Sequence, residues 1–206
     1  MKKICIFVQN LNIMLATSLV KPTSTIAEYL SFEANSEVKH EYHNGTLVAM
    51  AGGTPRHSLL KVNFVSEAKT ALKGKNCLTY DSDLQVAISK NRFVYPDATI
   101  VCGKLDFYEE NPLAVKNPTV VIEVLSEQTA NYDTGKKMLF YLQIESLKEY
   151  VLISQNELFV RIFTKNEEAK WLMTMYNDIS QVIDIQSVGI KIKMTDLYEN
   201  AIFLED

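Results

Sequence analysis

Apolar residues recur at three- and four-residue spacing in two stretches of the chain and at two-residue spacing in much of what lies between. Leu59, Leu60, Phe64, Val65, Ala68, Ala71 and Leu72 follow the helical period, with Pro55 placed to open the segment and Gly74 to end it. This predicts the longest helix. A shorter one begins at Thr25-Ile26-Ala27-Glu28, which has capping-box spacing, and runs to about residue 35. Between the two, residues 39–43 and 46–50 flank Asn44-Gly45, the dipeptide best suited to the positive φ angles of a two-residue hairpin turn. Strand patterns follow at 77–80, 84–88, 93–102 and 119–126, then a second long helix at 132–145. Further strands are expected at 149–154, 158–163, 171–176 and 189–192, before a terminal helix near Leu197. Strands gathered centrally with helices on either side predict an α/β fold, a central mixed β-sheet flanked by helices.

Composition narrows the class. The 206 residues are 47% hydrophobic and 22% charged, with 7 Gly and 5 Pro, which is an ordinary globular balance and excludes disordered, collagen-like and low-complexity readings. Lys and Arg number 21 against 25 Asp and Glu, a net charge of -4, so any nucleic-acid binding must be local. Cys5, Cys77 and Cys102 are odd in number and widely separated, which argues against a disulfide framework or a zinc knuckle and makes a reducing cytoplasm the default. At the N-terminus, Lys2 and Lys3 before two apolar runs imitate a signal peptide, but Gln9, Asn10 and Asn12 interrupt them and neither run reaches a membrane span. Residues 1–22 are therefore expected to be a poorly ordered extension, with Met14 an alternative start, and residues 23–206 a single domain.

The chemical anomaly is a pair of acids inside apolar strands. In the 93–102 pattern, Tyr95, Asp97, Thr99 and Val101 fall on one face; in the next strand, Glu123 shares a face with Val121 and Leu125. An isolated buried carboxylate costs several kcal/mol or takes up a proton. One such acid reads equally well as a buried ion pair or an edge position, which Pro96 would suit. For two on consecutive strands, a shared divalent cation is the more economical account, and hard oxygen ligands suit Mg²⁺ or Mn²⁺. On the second helix Asp133, Lys137 and Tyr141 form an i, i+4, i+8 stripe, which by spacing alone is a solvated surface pair. His57 near a helix start reads as a cap or packing residue, and Asp81 and Asp83 as turn chemistry. Lys61, Lys69, Lys73 and Lys75 read as solubilising charge.

Together these residues carry a resemblance. Pro96-Asp97 followed 26 positions later by Glu123-Val124-Leu125-Ser126 is similar to the PD-(D/E)XK restriction-endonuclease superfamily, with Leu125 where the usual lysine would stand. The ordered set Glu41-Tyr42-His43-Asn44-Gly45, Met50-Ala51-Gly52-Gly53, His57, Asp81-Ser82-Asp83, Pro96-Asp97, Glu123 to Ser126 and Asp133 to Tyr141 resembles the Uma-type family of predicted bacterial endonucleases, over about residues 25–163. The resemblance implies a restriction-endonuclease-like fold and a Mg²⁺- or Mn²⁺-dependent hydrolase cutting DNA phosphodiesters. It implies that Asp97, Glu123 and the Val124 carbonyl hold the metal, with Glu41 and Asp83 as further candidates, and that Lys137 replaces the missing lysine from the following helix. His57 would join the catalytic set. DNA is the expected partner, no membrane is, and a homodimer stays open. The alternative is a non-catalytic nucleic-acid or protein interaction module that keeps the fold.

Overall fold

A computed structural model of the chain describes residues 24–50, 52–126 and 133–201. The expected N-terminal extension lies outside the described residues, as does residue 132 of the helix predicted over 132–145. Helix α1 (Ile26–Glu33) starts with the capping box read from the sequence, Thr25 accepting from the Glu28 N–H and Glu28 accepting from the Thr25 N–H. The hairpin of β1 (His40–His43) and β2 (Thr46–Ala49) turns at Asn44 and Gly45, with φ of 51° and 90°. Helix α2 (Pro55–Ala71) is capped by Thr54, with Pro55 in its first turn.

Next come β3 (Cys77–Asp81), β4 (Gln85–Ser89), β5 (Arg92–Val94), β6 (Ala98–Cys102), β7 (Phe107–Tyr108), β8 (Asn111–Val115) and β9 (Val120–Leu125). Then follow α3 (Lys136–Tyr141), β10 (Glu149–Ser154), β11 (Val160–Lys165), β12 (Trp171–Tyr176), β13 (Val182–Ile185), a 3-10 turn (Gln186–Val188), β14 (Ile190–Lys193) and α4 (Met194–Leu197).

The strands form two six-stranded mixed sheets, ordered β2-β1-β5-β4-β8-β7 and β12-β11-β10-β9-β6-β3, plus a β13-β14 ribbon. β9 and β10 are parallel neighbours, as are β4 and β8; the other pairs are antiparallel. The predicted strand 93–102 is two strands. β5 belongs to the first sheet and β6 to the second, and the chain crosses between them at Tyr95-Pro96-Asp97, where a missing N–H and a fixed φ break the ladder. Strands β7, β8 and β13 have no counterpart in the sequence reading, because Asn111-Pro112 and Asp184 interrupt their alternation.

The second sheet is covered on both faces. On one, Leu60, Phe64 and Ala68 of α2 meet Ile100, Ile122, Val124, Val151 and Ile153. On the other, Tyr141, Ile144 and Leu147 meet Val121, Leu125, Tyr150 and Leu152, joined there by Val86, Val94 and Val115 of the first sheet. Each fully buried large apolar side chain stabilises this packing by roughly 1.5–3 kcal/mol. Cys77 and Cys102 lie directly opposite in the β3–β6 register and form a disulfide. This reverses the expectation of unpaired cysteines: the pair is made by strand register across 25 positions, not by local spacing. Among the described residues no helix is long and apolar enough to cross a membrane.

Candidate active site

The parallel β9–β10 pair ends at Leu125 and Ser154, and the candidate site is built around that end of β9. β6 and β9 pair Ala98 with Ile122, Thr99 with Val121 and Ile100 with Val120. Continuing that register one step sets Asp97 opposite Glu123. Asp97 stands just after the sheet-to-sheet crossing, and its Oδ2 accepts the Val124 N–H at 2.8 Å, so the carboxylate completes the ladder where β6 has no residue to offer. Glu123 points to the α3 face of the sheet, with Val121 and Leu125, as the period of two requires.

Lys137 reaches the same place from the helix. Its Nζ lies 2.7 Å from Glu123 Oε1, 3.5 Å from Asp133 Oδ1 and 3.6 Å from Glu41 Oε1. Asp133 and Lys137 are buried, so the i, i+4 pair is an interior one and not the solvated pair that spacing alone suggests; Lys136, one position away, is exposed. Tyr141, at the next step of the stripe, donates from its hydroxyl to Glu123 Oε1 at 2.9 Å. Tyr150 on β10 donates to the Asp133 carbonyl at 3.2 Å and ties down the segment that leads into α3.

Glu41 enters from β1. Its Oε1 accepts the Tyr95 N–H at 3.4 Å, and its Oε2 lies 2.8 Å from His43 Nε2; the Arg92 Nε–H in turn donates to His43 Nδ1 at 3.2 Å. His57 enters from the first turn of α2, its Nε2 3.1 Å from Asp97 Oδ2. That turn is tied to the end of β10, because Thr54 donates to the Gln155 side chain at 2.8 Å and Arg56 donates to the Gln155 carbonyl at 3.3 Å. Gly53 is required beside it, since a Cβ there would lie 2.7 Å from His57 Nδ1 and 3.0 Å from its Cγ.

Three carboxyl groups (Glu41, Glu123 and Asp133) thus crowd around one ammonium, and a fourth, Asp97, faces Glu123 from the neighbouring strand position. Burial pushes the Glu123 carboxyl up to about 8, against the pull of Lys137 and with the help of Asp133 and Asp97. Burial alone would strip Lys137 of its proton, but Glu123, then Tyr141, Glu41 and Asp133, hold its pKa well above the usual value. Burial also opposes ionisation of Glu41, yet Lys137, His43 and the Tyr95 N–H hold its carboxyl below the ordinary range.

The structure therefore brings Asp97, Glu123, Val124, Lys137, His57 and Glu41 together. It does not bring in Asp83, which sits in the turn after β3, 80% exposed, 2.5 Å from Lys39 Nζ. Glu41 is a partner of the lysine, both of its oxygens being engaged by Lys137, Tyr95 and His43. Tyr150 and Arg92 escaped the sequence reading. Tyr150 lies in an apolar strand whose ring packs on Tyr141, and only the β9–β10 register reveals its hydroxyl's role.

Among the described residues no three His, Cys, Asp or Glu side chains converge as a ready cage for a metal ion. The donor set fits a hard cation all the same. Mg²⁺ is commonly bound through one or two carboxylates and several waters. Asp97 and Glu123 supply two carboxylates at facing positions, each with one oxygen, Oδ1 and Oε2, not hydrogen-bonded among the described residues. Facing like charges are destabilising in a sheet, and a cation between them removes that cost.

Residues 26–195 match the model of the Uma2 family, described as "Putative restriction endonuclease". Two uncharacterized proteins of Synechocystis sp. (strain ATCC 27184 / PCC 6803 / Kazusa) are similar along most of the chain. The protein slr1290 is 30% identical over 183 residues, 88% of this chain and 95% of its own. The protein sll1609 is 30% identical over 151 residues, 73% of this chain and 85% of its own. Among solved structures, one described as a putative nuclease belonging to DUF820 from Anabaena variabilis ATCC 29413 superimposes with a TM-score of 0.69 at 17% identity. The match covers 85% of this chain and 97% of that one. The α/β architecture is thereby restriction-endonuclease-like.

Proposed function

The chain belongs to the Uma2 family, and from that premise we propose that it is a Mg²⁺- or Mn²⁺-dependent endonuclease that hydrolyses DNA phosphodiester bonds at the Asp97–Glu123–Lys137 cluster. The observation that carries this reading is the meeting of two facing carboxylates with a buried lysine 2.7 Å from one of them, at the end of a parallel strand pair. Open α/β sheets place their ligands beyond the carboxyl ends of such strands.

Asp97, Glu123 and the Val124 carbonyl would hold the cation, which when bound supplies a water of lowered pKa and neutralises charge developing on the phosphate. The Tyr141 hydroxyl and Lys137 both engage Oε1 of Glu123, and its Oε2 has no hydrogen bond among the described residues. Lys137, kept charged by its acidic neighbours, orients the attacking water or stabilises the pentacovalent phosphorane. Glu41 and Asp133 hold that ammonium in place. His57 is on the more open flank, where its side chain and that of Asp97 are each 15% exposed, and it is positioned to hydrogen-bond a phosphate.

The test is cleavage of supercoiled plasmid and of single-stranded DNA with Mg²⁺, Mn²⁺ or EDTA. The reading expects nicking or linearisation with metal and none with EDTA. Intact DNA under all conditions contradicts it and leaves the interaction-module alternative standing.

A further inference from the structure

The β12 end of the second sheet is an edge among the described residues, since β12 pairs with β11 alone. Natural edges are usually blunted by charge, proline or a bulge. This one is not. Its six residues, Trp-Leu-Met-Thr-Met-Tyr, carry no charge and pair with β11 without a register shift, and Leu172, Met173 and Met175 are each at least half exposed. The backbone parity of the edge is fixed by its neighbours. Asn166 N–H donates to the Lys170 carbonyl at 2.9 Å, and Lys165 N–H turns the other way, to the Lys148 carbonyl at 2.8 Å. By alternation, Lys170, Leu172, Thr174 and Tyr176 direct their backbone groups at β11, while Trp171, Met173 and Met175 direct theirs outward.

We propose that β12 pairs antiparallel with β12 of a second copy of this chain, about a two-fold axis at Thr174, giving a dimer with one sheet running through both subunits. A two-fold antiparallel pair must set outward-facing residues opposite outward-facing residues, so the axis passes through a residue and never between two. With the axis at Thr174, Met173 faces Met175 and Leu172 faces Tyr176, so the apolar side chains oppose one another along the strand. Lys170 then faces Asp178, twice by symmetry. An axis at Met173 leaves Lys170 opposite Tyr176, and one at Met175 leaves it opposite Ser180; neither pairs the charges. In the single chain Lys170 reaches Glu168, at 2.5 Å, and Asp178 accepts from Ser180. Both are highly exposed local contacts of small worth, free to exchange for a cross-strand pair. The axis lies three strands from β9, so each subunit keeps a complete site.

Light scattering across a concentration series, with the full-length chain, tests the surface. The wild type is expected to be a dimer. Met175→Lys is expected to be a monomer with an unchanged far-ultraviolet circular dichroism spectrum. Lys170→Asp should weaken the dimer about tenfold, and Lys170→Asp with Asp178→Lys should restore it. The register is tested by oxidising Thr174→Cys in a Cys5→Ser background: Thr174 faces its own copy and should cross-link, whereas Leu172→Cys faces Tyr176 and should not. A chain that stays monomeric at every concentration, with its edge bare or covered by residues 1–23, overturns the proposal. So does a dimer that Met175→Lys leaves intact, and so does cross-linking through Leu172→Cys in place of Thr174→Cys.

Discussion

Glu123 is a fully enclosed carboxyl between a buried lysine and two further acids. Its carboxyl is raised from the ordinary range to about 8 by burial, against Lys137, with Asp133 and Asp97 adding to the rise. Between the unfolded value near 4.5 and about 8, the folded chain therefore binds the extra proton, and stability falls as pH rises through that window. In EDTA, the stability of Glu123→Gln relative to the wild type should rise from pH 5 to pH 8, by an amount on the order of a few kcal/mol across that range, whatever the fixed cost of removing the partner of Lys137. A constant difference across that range would mean that Glu123 is ionised throughout. Glu41 titrates in the opposite sense. Lys137, His43 and Tyr95 hold it low in spite of burial, so the stability it contributes is present at neutral pH and is lost as pH falls. His57 depends on a neighbour with no side chain. Gly53→Ala would put a Cβ 2.7 Å from its Nδ1, forcing the ring away from Asp97. We expect cleavage to drop by about 10²-fold with little change in melting temperature, the scale of loss for roughly 1 Å of misplacement. Normal cleavage by Gly53→Ala would remove His57 from the catalytic set.

At the scale of elements, α3 is what turns a sheet end into a candidate site, because it delivers the ammonium. Lys137→Ala should lower turnover by about 10²-fold or more while the melting shift produced by Mn²⁺ persists, since lysine is no metal ligand. Lys136→Ala, on the exposed side of the same turn, should change neither. Equal losses from the two would reduce Lys137 to a structural ion pair. The helical period made the Asp133, Lys137, Tyr141 stripe visible in the sequence, but periodicity says only which residues share a face. Whether that face meets water or Glu123 is decided by how α3 lies against β9, a long-range fact. The strand at 93–102 has the converse history. Its two-residue alternation looks unbroken from Phe93 to Val101, yet Pro96 divides it between two sheets, and the division is what frees Asp97 to take the Val124 N–H. The hairpin at Asn44-Gly45, the α1 capping box and the Pro55 start of α2 were legible because each is set by residues a few positions apart. Asp83 shared a short motif with the site, but its turn is pinned outward by Lys39.

Across the whole molecule, two sheets and two helices converge on one concentration of negative charge, while the opposite edge of the second sheet is apolar and uncharged. The Cys77–Cys102 bridge closes a loop of 25 positions in the same sheet. Reduction should lower stability by roughly 3 kcal/mol, read as a fall in melting temperature with dithiothreitol that a Cys77→Ala, Cys102→Ala chain does not show. On the proposed reading, a cation bound between these carboxylates would relieve their repulsion, so that metal binding would stabilise the fold. The measurement that bears most directly on this account is a calorimetric titration of Mn²⁺ into the wild type, Asp97→Asn, Glu123→Gln and Lys137→Ala. We predict one Mn²⁺ per chain in the wild type and in Lys137→Ala, with binding lost in Asp97→Asn and in Glu123→Gln. Undiminished binding in either carboxylate variant would show that Asp97 and Glu123 do not share a cation, and would contradict the account.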